Sequence, residues 1–592
     1  MPDQKNIILA IAISLAIIVG FEFIGPKFMG TPAPTEQAAT APAAGATPAA
    51  PAAQPANAGA APAPAAPNAA GVQTATAANG VLSRDDAIAT DQRVSIETPQ
   101  VMGSIRLKGA LLDDLTLVNY HETPDTSSPR IALLSPQGSD KPYYAQFGWS
   151  APAGSNIAVP GPESVWQTDS DVLKPGNPVM LLWSNGQGLI FKRTIAVDEN
   201  FMFTVTDSVE NTSSAPITLY PYGMIVRAYR PVTENFYVLH EGMLGVFDGT
   251  LKELKYDDLK KQTLEDKTGF TAQSSGGWLG ITDKYWLTAL DLDNKTESTA
   301  HFSYSGDGTT RNNYQADFLG QPQTVAPGQS AVNKTDFFAG AKQVSLLDDY
   351  AERYEIDRFD LAIDFGWFYF LTKPFFYGLK FLHGLLGNFG LAILAFTVCL
   401  RLLMFPLANK SFKSMSKMKK LQPQLKELQT KYADDKVRLQ QEMMALYKKE
   451  GANPVAGCLP VIIQIPIFFS LYKVLFVSIE MRHAPFFGWI HDLSAPDPTT
   501  LFNLFGLIPF DPPSFLHIGV WPLIMGITMY VQQKLNPAPT DPVQARIMGL
   551  LPLVFTFMLA TFPAGLVIYW AWNNTLSSLQ QWVIMRRMGV SA

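Results

Sequence analysis

Apolar positions follow four different rhythms along this chain, and each rhythm predicts a different kind of element. From Ile7 to Ile24 the run is broken only by Ser14, Gly20 and Glu22, and its 18 residues reach the lower bound for a transmembrane helix. No small-x-small cleavage site follows in Gly25-Pro26-Lys27-Phe28-Met29, so residues 1–24 read as an uncleaved membrane anchor rather than a signal peptide. Residues 31–80 hold 23 Ala and 9 Pro with a single charge, Glu36, and no aromatic side chain. Such a segment cannot bury enough surface to offset the entropy of ordering, and 25–80 is predicted to be a disordered tether.

From 81 to 344 the rhythm shortens to alternating runs such as Arg93-Val94-Ser95-Ile96-Glu97, Gly188-Leu189-Ile190-Phe191-Lys192 and Phe201-Met202-Phe203-Thr204-Val205, separated by Gly, Pro, Asn and Asp clusters. Period two predicts many antiparallel strands in a large all-β sandwich. At 345–382 the period changes to that of a helix. Leu346, Leu347, Tyr350, Ala351 and Tyr354 recur against Asp348, Asp349, Glu352, Arg353 and Glu355. This is an amphipathic helix, placed either in the membrane interface, with Phe365, Trp367, Phe368, Tyr369 and Phe370 at headgroup depth, or against the β domain.

The remainder, 383–585, is dominated by apolar runs read as spans at about 386–407, 455–477, 518–535, 547–562 and 565–585, the last two turning at Phe562-Pro563-Ala564-Gly565. With the anchor this predicts a polytopic α-helical membrane protein of six spans. Between the first two of these runs lies 408–454, where Phe412, Met415, Met418, Leu421, Leu425 and Leu428, then Leu439, Met443 and Leu446, repeat every three or four residues around a break at Ala433-Asp434-Asp435. A helical hairpin follows, with Pro423 expected to start its first long helix.

Charge orients these elements. Asn409 to Glu450 carries eleven Lys/Arg against five Asp/Glu, whereas Ser478 to His517 has one Arg and no Lys. The positive-inside rule puts the hairpin in the cytoplasm. Both termini, including a short tail at 586–592, then share that side, and the β domain lies outside. Over the whole chain only 16% of residues are charged, 47% are hydrophobic and the net charge is −6. Soluble proteins average ~25% charged, so the deficit fits spans and tether. The acidity argues against sequence-specific nucleic-acid recognition. Cys399 and Cys458, both in apolar stretches, give no disulfide framework.

Enzyme signatures are few. The chain has no phosphate loop, no His-Glu-x-x-His and no paired cysteines at ligand spacing, and its seven histidines are scattered; no catalytic, metal or cofactor site is expected. The anomaly is polarity inside the spans. Arg401 sits short of the cytoplasmic end of its span, a position that fits either a functional charge or a snorkelling side chain. Thr397 lies one turn earlier on the same face; Gln464 and Ser470 fall in the next span; Tyr569, Trp570, Asn573 and Asn574 fall in the last. If they converge on Arg401 they line a wet concavity, and Pro460, Pro466, Pro522 and Pro552 loosen the helices around it. In the hairpin, Met415, Met418, Met443 and Met444 either close the helix pair or offer an adaptable surface to partners. Lys419 and Lys420, with the other lysines, set topology or touch anionic lipid.

Several strings carry a resemblance. Glu442-Met443-Met444-Ala445-Leu446-Tyr447-Lys448-Lys449-Glu450-Gly451-Ala452-Asn453-Pro454, Gly457-Cys458-Leu459-Pro460, Gln464-Ile465-Pro466-Ile467-Phe468 and Trp489-Ile490-His491-Asp492-Leu493-Ser494, with Arg401 in its span, resemble the YidC/Oxa1/Alb3 membrane insertase family. The tether and β domain, including Gly277-Trp278-Leu279-Gly280-Ile281-Thr282-Asp283-Lys284-Tyr285-Trp286, are similar to its Gram-negative YidC form.

The resemblance implies a five-helix core around a hydrophilic groove and a periplasmic supersandwich of galactose-mutarotase type. Carried over, Arg401 is the groove's charge, Thr397 and Gln464 its polar lining, Phe468 and Tyr569 part of a slide for the substrate. Trp570 stands where relatives often have a second Tyr, and Ala564 where they have Ser, which puts a hydroxyl contact at 570 in doubt. Also implied are an inner-membrane location, nascent membrane proteins as substrates, and contacts with the Sec translocon, with lipid, and with a ribosome or targeting factor through the hairpin. A secondary solute transporter centred on Arg401 is the alternative, although no repeat symmetry supports it. A sugar-processing β domain would require His121, His240 or His301 to meet carboxylates in one cleft.

Overall fold

A computed structural model describes residues 81–233, 239–266, 269–306, 312–433, 435–451, 459–506, 508, 512–513, 517–536 and 542–589. The expected anchor and the whole of the expected tether lie outside them.

After a one-turn helix, α1 (Arg84–Ile88), capped by the Ser83 hydroxyl accepting from the Asp86 N–H at 3.2 Å, the chain forms an eleven-stranded and a nine-stranded sheet. Named strand pairs are antiparallel except that Arg93–Glu97 runs parallel to Val172–Leu173. Strand Leu189–Val197 shows how alternation builds the core. Leu189, Phe191, Ile195 and Val197 are buried, and so is Arg193 in the same inward register.

A guanidinium in that position is tolerable only if fully paired. Register places Asp207 directly across on the neighbouring strand. Arg193 Nε donates to the Asp207 carboxylate at 2.7 Å, and Nη1 and Nη2 donate to the carbonyls of Ala110 and Phe147 at 3.1 and 2.5 Å. The Trp166 ring lies 5.2 Å from its centre.

A second helix in the β domain, α2 (Tyr256–Asp266), precedes the last strands. The expected amphipathic helix over 345–382 is instead two helices and a turn. In α3 (Val344–Arg353), Val344, Leu347 and Tyr350 are fully buried. Tyr350 meets Phe338 at 6.0 Å, accepts from the Phe201 N–H and donates to Asp198, so this apolar face packs on the β domain. The chain then breaks through Glu355 and Arg358, both at positive φ, a 3₁₀ turn at Phe359–Ala362, and Gly366. Left-handed backbone cannot continue an α-helix. Helix α4 (Tyr369–Leu386) follows, tied back by Lys373, which bridges Asp348 and Asp360 at 2.8 Å each.

Helix α5 (Phe389–Lys431) starts at Asn388, whose side chain accepts from the Leu391 N–H at 3.0 Å, and runs for 43 residues. Pro423 therefore lies inside a continuous helix, as does Pro406, instead of starting a new one. Proline removes one ladder bond, and here the neighbouring turns carry the helix through. Then come α6 (Lys436–Lys449), α7 (Leu459–Val477), α8 (Val520–Leu535), α9 (Pro542–Leu559) and α10 (Ala564–Arg587).

Among the described residues α5 is the one helix that is long and apolar enough to cross a membrane by length and composition; Ile462–Val477 and Val543–Leu559 are shorter apolar helices. Large apolar side chains point outward: Leu402, Leu403 and Phe405 on α5, Ile462 and Ile465 on α7, Leu553 and Phe557 on α9. A protein surrounded by water would bury such faces, whereas lipid accepts them.

Polar contacts join the β half to the helices. Lys473 of α7 pairs with Asp364 at 2.8 Å. Arg482 donates to the His121 carbonyl at 2.5 Å and lies over Tyr285 and Trp286. Beside them, Glu480 accepts from the Val344 N–H at 3.3 Å, its other carboxyl oxygen is buried without a partner, and burial pushes its pKa up to about 7.

Candidate functional site

Helices α5, α7 and α10 line a small, partly open pocket in which five polar side chains stand among apolar ones. Helical spacing explains its composition. Thr397 and Arg401 lie four apart on α5, as do Tyr569 and Asn573 on α10, so each pair shares a face. The Thr397 hydroxyl donates to the Ile393 carbonyl at 2.7 Å, which satisfies its proton within the helix. Gln464 donates from Nε2 to the Tyr569 hydroxyl at 2.6 Å, linking α7 to α10.

Arg401 reaches across to α10. Its Nε and Nη2 both donate to Asn573 Oδ1, at 3.0 and 2.6 Å, and Nη2 also donates to the Asn573 carbonyl at 3.2 Å and to the Ser577 hydroxyl. No carboxylate among the described residues pairs with it. In a largely apolar bundle that is the unusual feature, because an intramembrane cation is normally matched by an anion. The cation is hydrogen-bonded but not neutralised.

Of the seven residues expected at the groove, five line the pocket: Thr397, Arg401, Gln464, Tyr569 and Asn573. The other two, Phe468 and Trp570, meet each other at 4.7 Å, and Trp570 meets Phe555 at 5.6 Å, an aromatic seam beside the pocket. Ser577 went unrecognised although it lies one turn beyond Asn573. The apolar floor, including Met404 and Ile467, was also missed, since nothing distinguishes those residues from ordinary span residues.

Met415 packs with Ala408, Phe412 and Ile584 in the α5–α10 seam, and Met418 and Met443 pack with Leu421 and Leu425 inside the hairpin. Met444 is 55% exposed. Lys420 donates to the Met588 carbonyl at 2.7 Å, and Lys419 is half-buried. In the β domain the three histidines stay apart. His121 Nδ1 faces the Ser128 carbonyl, and burial pushes the pKa of His240 down to about 4. His301 meets Asp317 at 3.1 Å across paired strands.

A two-sheet β domain joined to an apolar helical bundle, with Arg401 lacking a carboxylate partner among the described residues, defines a class of membrane protein with a large extramembrane domain. Residues 93–378 match the family model for the YidC periplasmic domain, and residues 381–590 match the model for the 60Kd inner membrane protein. The membrane protein insertase YidC of Methylorubrum extorquens (strain PA1) is 51% identical over 598 residues, covering 99% of this chain and 96% of the relative. That of Granulibacter bethesdensis (strain ATCC BAA-1260 / CGDNIH1) is 51% identical over 593 residues, covering 99% and 98%.

Among solved structures, an active YidC insertase with its first transmembrane domain resolved aligns at 18% identity and a TM-score of 0.34, covering 83% of this chain and 92% of that one. The chain belongs to the YidC family of membrane protein insertases.

Proposed function

We propose that this protein integrates newly made proteins into the inner membrane and helps them fold, alone or with the Sec translocon, through the pocket centred on Arg401. The observation that carries this reading is a guanidinium held between α5 and α10 with no carboxylate partner among the described residues. A new span gains apolar burial on entering lipid, but the polar tail that must cross first meets a dehydration barrier. A hydrated pocket shortens the dry path, and the arginine attracts an acidic tail into it. The hydrophobic segment then leaves along the Phe468–Trp570 seam and the outward apolar faces. The membrane potential assists acidic tails moving outward at ~2.3 kcal/mol per charge per 100 mV.

In this reading the chain is multi-pass with six spans, both termini are cytoplasmic and the β domain is periplasmic. The hairpin α5–α6, through Met444, Lys419 and Lys420, meets a ribosome or targeting factor, and the outer faces meet lipid. The test is insertion into proteoliposomes of a single-span protein with an acidic leading tail. Arg401→Ala should impair it and Arg401→Lys should retain most activity. Unchanged yields for Arg401→Ala would remove the arginine from the mechanism.

A further inference from the structure

The hydrogen bonds of Arg401 are one-sided. Guanidinium has five N–H donors, and its strongest grip on a carboxylate uses two of them in parallel. Here Nε and Nη2 form such a fork, and Asn573 Oδ1 occupies it. The remaining Nη2 proton is engaged by the Asn573 carbonyl and the Ser577 hydroxyl. Ser577 is fixed as the acceptor in that contact because its single proton goes to the Asn573 carbonyl at 2.6 Å. Nη1 alone donates to no described residue, and it is not sealed in by the packing. The polar neighbours Thr397 and Gln464 bond to Ile393 and Tyr569 and not to the guanidinium.

From this geometry, and resting on the docking role proposed for Arg401, we infer that Asn573 and Ser577 are positioning residues that occupy the arginine's bidentate edge. They restrict an incoming carboxylate to a single-point contact through Nη1, and so keep its capture short-lived. A conveying site must let go. Affinity differences between related complexes reside mostly in dissociation rates, so an arginine with both edges open would hold an acidic tail longer and pass it on more slowly. Neutral amide and hydroxyl acceptors suit this task, because they satisfy the donors without cancelling the charge. A carboxylate at 573 would cancel it.

The experiment uses the full-length protein in proteoliposomes and stalled nascent chains of a single-span test protein. The tail carries either two Asp or two Asn and a photocrosslinker, and the lifetime of the tail at the pocket is read by crosslinking at intervals after a competitor chase. Asn573→Ala should lengthen the lifetime of the Asp tail about 10-fold, by opening a bidentate charge-assisted contact, and Ser577→Ala about 3-fold. Insertion of the Asp tail should slow in step, while the Asn tail is unaffected. Asn573→Asp should shorten the Asp-tail lifetime to that of Arg401→Ala.

Lifetimes that are unchanged, or that fall equally for both tails in Asn573→Ala and Ser577→Ala, would show a packing role and overturn the inference while leaving the docking role intact. Identical Asp-tail lifetimes in the parent and Arg401→Ala would overturn both. Should Asn573→Ala not fold, Ser577→Ala, which removes one oxygen, decides alone.

Discussion

Arg193 and Arg401 are the same side chain in two halves of one molecule, with opposite arrangements around them. In the β half Arg193 is sealed, paired with Asp207 at 2.7 Å and donating to two carbonyls. In the helical half Arg401 keeps its charge, satisfied on one edge by neutral acceptors. Sealed pairs hold a fold in register and have nothing left to offer a ligand. A cation left without an anion is costly to keep in an apolar setting and is available to a substrate.

The largest test of this contrast is to open the sealed site. Asp207→Ala leaves the Arg193 charge buried and alone, and should cost about 3–5 kcal/mol in unfolding of the detergent-solubilised protein. Arg401→Ala should shift the same unfolding curve far less. Equal losses would mean that the two arginines are structural alike.

Next comes the junction between the halves. Glu480 has a folded pKa raised to about 7 from 4.5, so between those values the native state holds a proton that the unfolded chain has released. Stability contributed by this group should therefore fall as pH rises from 4.5 to 7, by about 2–3 kcal/mol. Glu480→Gln should flatten that part of the profile. A parent and variant with parallel stability between pH 4.5 and 7.5 would refute it. His240, its pKa lowered to about 4 by burial, has the opposite slope between 4 and 6.5, which is why the comparison needs the single variant rather than the raw curve.

Third, Arg401→Ala should lower insertion of a doubly acidic tail about 10-fold, equivalent to about 1.4 kcal/mol, and leave a neutral tail within twofold. The smallest effect belongs to an exposed pair. Arg353–Asp349, with both side chains more than half exposed, should contribute no more than about 0.5 kcal/mol, so Arg353→Gln should barely move the melting temperature.

Much of this was readable from residue order, because periodicity reports local geometry. Alternation over residues 188–192 pointed to a strand, which spans Leu189–Val197, and four-residue spacing put Thr397 with Arg401 on one face. What it could not supply was register across elements. Nothing near Arg193 in sequence announces Asp207 as its partner, since they meet only when two strands align. The break after α3 rests on Glu355 and Arg358 at positive φ, a conformation that ordinary side chains adopt under tertiary constraint and that leaves no compositional trace. The hairpin methionines illustrate the same limit. Their spacing fitted both closure and partner binding, and only packing separates Met415, Met418 and Met443 from the exposed Met444.

Helix α5 also has a mechanical side. At 1.5 Å per residue its 43 residues extend about 65 Å, twice the ~30 Å hydrocarbon layer. Arg401 sits about 18 Å from its start, and the far end stands about 45 Å beyond the arginine. A rigid rod of that shape would turn a tilt of a few degrees at the groove into several ångströms at its tip, and would carry load equally well in reverse. Pro406 and Pro423 each delete one rung from the rod, and Pro406 falls between the guanidinium and the hairpin. Each missing rung is a place where such a rod bends most readily, and the first of them lies between the charge and the tip.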